Sequence, residues 1–239
     1  MGSEAFRELA NQAGLLRMYW EHRVTPLGSR ADACLHLVVK EMVGGRSLRV
    51  QTHIIAAATP DALDALLLRG VLAKVENERF IQFRHHILFD YAASRLVMDV
   101  DGLVSGKVQY LKAQAIGLML APAMGFLLQE LWGTQPDHER YWTAVERILA
   151  NPEGDPILRS VAGRLSAELP ENATDTHTLA KHVTDGGDIV SMALWHVVSS
   201  LAVRLEDHPD VSLMPWVSLA GELAASVERA PSTVRTLLY

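Results

Sequence analysis

The chain has 239 residues, of which 49% are hydrophobic and 21% are charged. This usage is ordinary for a packed globular protein, so the composition excludes a disordered chain and a fibrous repeat. Residues 1–98 contain 12 Lys and Arg against 10 Asp and Glu, whereas residues 99–239 contain 10 against 18, a balance of −8. The second part should therefore repel nucleic acid, whose non-specific binding depends on neutralised phosphates.

The single cysteine and the apolar stretches indicate the cellular compartment. Cys34 lies in an apolar run and has no partner for an internal disulfide, which predicts a buried, reduced thiol. Charged residues recur through the first thirty positions, so no uninterrupted apolar segment is left for a signal peptide. The longest apolar stretch, residues 115–128, contains Pro122 and is shorter than the roughly 17 residues that a spanning helix needs. We expect a cytoplasmic protein without a membrane segment.

The first third of the chain predicts two helices and a short strand. Apolar residues at helical spacing predict a helix over residues 3–24, and the turn sequence Thr25-Pro26-Leu27-Gly28 ends it. A second helix is predicted over residues 31–43, closed by a glycine pair. Residues 48–51 should be extended.

Residues 59–98 predict a helix, a β-hairpin and another helix. Thr59 can cap a helix, Pro60 suits its first position, and Gly70 suits its end. Strands are predicted over residues 71–75 and 79–84, around a polar turn, and a helix over residues 86–98. The expected fold class is mainly α, with a winged-helix-like module and its small β-hairpin over residues 31–98.

Three short motifs carry a resemblance to a known family. They are Gly70-Val71-Leu72, Phe83-Arg84-His85 and Asp90-Tyr91-Ala92-Ala93, all within residues 63–96. This segment resembles the winged-helix domain of the STAND class of signal-transduction ATPases, which includes the NACHT and NB-ARC proteins. The resemblance implies that residues 1–30 are a lid-like N-terminal helix and that nucleotide state controls the protein.

The resemblance also implies a nucleotide-sensing role for His85. In the NB-ARC branch, the histidine at this position contacts the β-phosphate of ADP, and an imidazole N–H is a suitable donor. Here Arg84 replaces the methionine and His86 replaces the aspartate of that branch's Met-His-Asp motif. The alternative is that one histidine caps a helix or bonds backbone while the other is solvated.

No nucleotide-hydrolysing or other catalytic motif occurs in the sequence. The phosphate-binding pattern G-x-x-x-x-G-K-[ST], the zinc motif H-E-x-x-H and the nucleophile elbow G-x-S-x-G are all absent. His177 and His182, five residues apart, do not share a helix face. We expect no catalytic residue, no metal site and no cofactor in this chain. ATP or ADP with Mg would belong to an upstream domain, and Met1-Gly2-Ser3 suggests that the natural chain extends upstream.

Residues 99–239 predict successive helices with short breaks. The pattern is typical of stacked helical hairpins, and residues 156–169 suit the second helix of a HEAT-like repeat, although no strict period occurs. Core packing is the expected role of Trp132, Trp142, Trp195 and Trp216, with exposed partner anchors on a repeat surface as the alternative. The predicted helices cover residues 104–120, 121–132, 138–150, 156–169, 176–183, 189–205 and 213–229.

Two functions follow as the main hypotheses, and a stand-alone helical enzyme is a third that no nucleophile, metal set or cofactor loop supports. The first is a non-catalytic regulatory and protein-interaction segment of a STAND-type NTPase, whose partner is a protein or an upstream ATPase domain. The alternative is a winged-helix DNA-binding transcriptional regulator with a helical dimerisation or ligand domain, contacting phosphates through Arg69, Lys74 and Arg79. Two aspartates on the helix that would enter the groove disfavour nucleic acid as the partner.

Overall fold

The computed structural model describes residues 2–105, 116–185, 188–207 and 211–225. Its fold is mainly helical with one small antiparallel sheet, which confirms the prediction of a mainly α chain with a small β element. The chain forms two compact units. We call Glu8–Asp99 with Leu118–Phe126 the sheet unit, and Met1–Arg7, Val100–Gly117 and Leu127–Tyr239 the helical unit.

The first part of the chain, through the end of the sheet unit's main segment, alternates helices with three short strands. Strand β3 lies in the centre of the sheet, with β1 and β2 antiparallel on either side. The elements are α1 (Gly2–Arg23), a one-turn 3-10 helix (Thr25–Leu27), α2 (Ser29–Gly44), β1 (Val50–Gln51), α3 (Thr52–Ala58), α4 (Pro60–Leu68), β2 (Leu72–Val75), β3 (Phe80–Phe83) and α5 (His86–Leu96).

Helix α2 is the central helix of the sheet unit and packs on α4 and α5. Its apolar face is buried, and Cys34 is fully buried within it, as predicted. Burial raises the pKa of the Cys34 thiol, and a hydrogen bond with Thr59 opposes that shift. Trp20 meets Tyr91 edge to face at 5.7 Å, which fixes α1 against α5.

Helix α3 was not predicted from the sequence. Its seven residues, THIIAAA, are too few to show a helical period, and its β-branched isoleucines favour strands in isolation. Ile55 is nevertheless fully buried, so tertiary packing stabilises this short helix.

The helices of the helical unit pack around α8 and α11, and α10 contacts both of them. Helix α9 packs on α8 and α11, and α12 packs on α10 and the second 3-10 helix. The elements are α6 (Val100–Val104), α7 (Gly117–Thr134), of which residues 127–134 belong to this unit, α8 (Glu139–Leu149), α9 (Pro156–Glu168), a 3-10 helix (Ala173–Thr176), α10 (His177–Asp185), α11 (Asp188–Asp207) and α12 (Met214–Ala225).

One predicted helix boundary in this region is wrong. The sequence predicted a break between residues 120 and 121, but α7 continues through Pro122. A proline removes one backbone hydrogen bond, and the burial of Leu120 and Met124 on the same helix offsets that loss. The predicted segment 106–115 lies outside the described residues.

The tryptophans of the helical unit divide between core and surface. Trp142 is fully buried and Trp216 is buried, as the core interpretation predicted. Trp132 is half-buried and stacks on the His138 ring at 3.6 Å. Trp195 is 54% exposed, so for this residue the core prediction is wrong.

Candidate functional site

The turn between α4 and β2 is the centre of the candidate site in the sheet unit. Gly70 has a φ of +70°, a left-handed conformation that glycine adopts without strain. Its N–H donates to the Leu67 carbonyl at 3.0 Å, and the Val71 N–H donates to the Leu66 carbonyl at 3.0 Å. These bonds end α4 and direct the chain into the sheet.

Three arginines gather around this turn, and we call Arg23, Arg69 and Arg84 the basic turn. The Arg23 guanidinium donates to the Arg69 carbonyl at 3.3 Å. The Arg84 side chain passes within 3.9 Å of the point where a Cβ on Gly70 would stand. The Tyr19 hydroxyl donates to the Gly70 carbonyl at 3.2 Å, and this hydrogen bond links α1 to the same turn.

The charge of the basic turn is not neutralised by neighbouring acids. Arg23, Arg69 and Arg84 are exposed, and none of them forms an ion pair within the part of the chain that the structure describes. Burial raises the pKa of Tyr19, while the charges of Arg23 and Arg84 act in the opposite direction. The charges of both guanidinium groups therefore act on that hydroxyl. Unpaired guanidinium groups are suited to phosphate and carboxylate ligands.

His85 follows Arg84 at the junction of β3 and α5. It is exposed and extended, with φ −131° and ψ 137°, and its side chain makes no capping hydrogen bond to α5. Only its backbone carbonyl takes part in the junction, accepting from the Leu88 N–H at 3.0 Å. His86 is also exposed. Burial raises the pKa of Asp90 to about 6, and the charge of His86 opposes that rise. Thus, in the described structure, the His85 imidazole is not engaged as a helix cap.

The residues of the DNA-binding alternative are divided between two places. Arg69 belongs to the basic turn, whereas Lys74 and Arg79 flank the turn of the β2–β3 hairpin. Lys74 is paired with Glu78 at 3.0 Å, and Arg49 is paired with Glu76. The carboxylates of the hairpin turn thus neutralise Lys74 of the hairpin and Arg49, which precedes β1.

The hairpin turn has an unusual backbone. Glu76, Asn77 and Glu78 all have positive φ, at 51°, 55° and 64°. The Arg79 N–H donates to the Glu76 carbonyl at 3.3 Å, and the Thr52 hydroxyl donates to the Glu78 carbonyl at 2.7 Å. These bonds hold the turn against the start of α3.

A second polar cluster, which the sequence did not predict, joins two helices of the helical unit. His182 of α10 bonds through Nδ1 to the Glu146 carboxylate at 2.7 Å and through Nε2 to the Glu139 carboxylate at 3.0 Å, both on α8. The Glu146 hydrogen bond, opposed by burial and aided by Glu139, raises the His182 pKa to about 9. No group of His, Cys, Asp and Glu side chains within the described ranges could hold a metal ion.

The His182 cluster makes the stability of the protein depend on pH. The pKa of His182 is higher in the folded state than the usual 6.5 of an unfolded histidine, so the folded state binds the proton more tightly. The contribution is complete below pH 6.5 and is lost as the pH rises to about 9.

We therefore expect that Glu146→Gln lowers the unfolding free energy at pH 6 by about 2 kcal/mol and flattens its decline between pH 6.5 and 9. Urea unfolding at several pH values measures this. Glu153→Gln removes an exposed carboxylate outside the cluster and is the matched control. Equal pH profiles for Glu146→Gln and the wild type would contradict the prediction.

Comparisons of the chain with protein-family models, with curated proteins and with solved structures find no match. The arrangement of the described side chains is therefore the basis for a functional conclusion.

Proposed function

We infer that this chain is a non-catalytic regulatory and protein-interaction segment of a STAND-type NTPase. In this proposal residues 31–98 are a winged helix and residues 99–239 are a HEAT-like helical array that receives its signal. The order of α2, β1, α3, α4 and the β2–β3 hairpin supports the first part, since a winged helix is a helix-turn-helix followed by a hairpin. The packing of α8, α9 and α11 against one another supports the second.

The unpaired charge of the basic turn is the observation that carries the proposal. Three exposed arginines at the Gly70 turn, with the free imidazole of His85 adjacent in sequence, suit the phosphates of ADP. In the full protein, an upstream ATPase domain would hold ADP with Mg, and Arg84 and His85 would sense its phosphates. The protein would act in the cytoplasm.

Regulation would then follow from a change in phosphate contacts. A nucleotide shifts a two-state equilibrium only by the difference in its affinity for the two states. Contacts of the basic turn with bound ADP would favour a closed state, and their loss would free the winged helix to move. Such a rearrangement is a domain movement rather than local chemistry.

The proposal predicts weak but specific phosphate binding by this chain. Calorimetric titration with ADP-Mg and with tripolyphosphate at low salt should give dissociation constants on the order of 1 mM, because most of the nucleotide pocket lies elsewhere. Arg84→Ala should weaken binding about tenfold, which is the value of one charge-assisted hydrogen bond.

The matched control is Arg30→Ala, which removes an exposed arginine of α2. It should leave the affinity unchanged. Absence of binding, or equal weakening by the two substitutions, would contradict a phosphate site at the basic turn.

The same titration with random duplex DNA tests the alternative of a DNA-binding regulator using Arg69, Lys74 and Arg79. DNA affinity that falls steeply with salt and depends on these residues would favour it. The Lys74–Glu78 ion pair and the exposed Asp61 and Asp64 of α4 count against it.

A further inference from the structure

Helix α11 presents an exposed apolar stripe on the surface of the helical unit. Its opposite face is buried, with Leu194 and Val197 in the core. We call the exposed residues the α11 stripe: Ile189, Met192, Trp195 and Val203, which are 55%, 42%, 54% and 59% exposed. Their spacing places them along one side of the helix. Exposure of a large aromatic among aliphatic side chains is typical of an interaction surface.

The charges around the α11 stripe are acidic. Glu206 is exposed near the end of α11, and Asp185 is exposed at the end of α10, just before α11 begins. The positive charge of Arg204 is neutralised by an ion pair with Glu168 of α9. Burial, followed by the charge of Arg159, lowers the pKa of His196, so both disfavour a positive charge on this histidine.

Arg159 belongs to α9, the helix on which α11 packs. The His196 backbone carbonyl lies 3.9 Å from the point where a Cβ on Gly163 would stand, so this part of α11 faces α9. The charge of Arg159 acts on the half-buried His196. Among the described residues of α11, the stripe therefore has no uncompensated cation, and residues 99–239 as a whole have a formal charge of −8.

We propose that the α11 stripe binds an amphipathic helix of a protein partner, apolar on one face and rich in Lys and Arg at its flanks. From residue 189 to residue 203 the stripe extends about 21 Å, which is the length of four helical turns. A helix of that length binds such a surface through apolar side chains at every third or fourth residue. Trp195 supplies the central contact, and the flexible Met192 side chain adapts to the partner.

Two other occupants fit the charges less well. A second copy of this chain would bring like charges together, which disfavours association. A membrane is suggested by composition, because Ile189–Glu206 has a mean hydropathy of 1.3 over 18 residues, which by length and composition alone would suffice to cross a bilayer. Binding to an anionic lipid surface, however, requires cations on the flanks of the helix, and those of α11 are acidic.

The test uses two labelled peptides of about 18 residues that form amphipathic helices, one of Leu and Lys and one of Leu and Glu in the same pattern. Fluorescence anisotropy should give a dissociation constant on the order of 10 µM for the Leu/Lys peptide and no binding of the Leu/Glu peptide. Trp195→Ser should weaken binding at least tenfold, and Glu206→Lys should weaken it severalfold.

The matched control is Leu68→Ser, which removes an apolar residue of α4 that is 90% exposed. It should leave the affinity unchanged, and circular dichroism verifies that each variant is folded. Failure of the Leu/Lys peptide to bind, equal binding of the Leu/Glu peptide, or equal loss in Leu68→Ser would overturn the proposal. If the protein binds phosphatidylserine vesicles through Trp195 but binds neither peptide, the proposal is wrong and the stripe binds a membrane. No nucleotide is present, so the outcome is independent of the proposed nucleotide role.

Discussion

Replacement of Trp142 by alanine is expected to lower the unfolding free energy by about 3–5 kcal/mol. The side chain is fully buried, and its indole N–H donates to the Asp175 carbonyl at 2.9 Å. Its ring meets Tyr141 and Trp132 edge to face at 5.2 and 6.2 Å. The substitution would leave a cavity within this aromatic cluster and a carbonyl without its donor, and both effects destabilise the folded state.

Urea unfolding followed by circular dichroism measures this loss, and Trp195→Ala is the matched control. The Trp195 side chain is largely exposed, so its removal should change the unfolding free energy by less than about 0.5 kcal/mol. Losses of similar size in the two variants would show that Trp142 does not have the packing described here.

Gly163→Leu is expected to give the second large loss of stability, about 3 kcal/mol. This glycine lies where α9 packs on α11, and a Cβ added to it would stand 2.3 Å from the Ser200 Oγ and 3.3 Å from the Ser200 Cβ. The hydroxyl of Ser200 can rotate away, but its Cβ is fixed to the backbone of α11. A leucine would therefore force the two helices apart and expose the apolar residues between them.

The matched control is Gly221→Leu in α12, where an added Cβ has no atom within 4 Å. Replacing an exposed glycine inside a helix should stabilise it by about 0.5–1 kcal/mol, because glycine loses more backbone entropy on folding. The two substitutions add the same side chain and should have effects of opposite sign. A loss of stability in both would mean that close packing at Gly163 is not the cause.

The sequence predicts much of the local structure where residues typical of helix ends and the hydrophobic periodicity indicate the same element. Thr59, Pro60 and Gly70 locate α4 to within two residues, and the hairpin and α5 follow from the pattern after it. Helix α3 is missed because seven residues contain too little periodicity. The continuity of α7 is missed because Pro122 indicates a helix break, and the sequence alone does not show that the apolar residues around it are buried.

The candidate sites are predicted only where their residues are close in the chain. Arg84 and His85 belong to a sequence motif, and Arg69 is one of the basic residues around the predicted winged helix. Arg23 and Tyr19 are missed, because they reach the same turn from 46 and 51 residues away. The His182 cluster joins residues 36 and 43 positions apart. Such pairings depend on the packing of whole helices, and single-sequence patterns do not contain it.

The hairpin turn has a further consequence for how the protein responds to ionic strength. Left-handed backbone costs a residue other than glycine roughly 1 kcal/mol, and Glu76, Asn77 and Glu78 adopt it in succession. The two glutamates are held by Arg49 and Lys74, whose ion pairs are exposed and weaken as salt is added. Added salt should therefore release the Glu76 and Glu78 side chains at the tip of the hairpin, while the hydrogen bonds of their backbone carbonyls and the buried base of the hairpin persist.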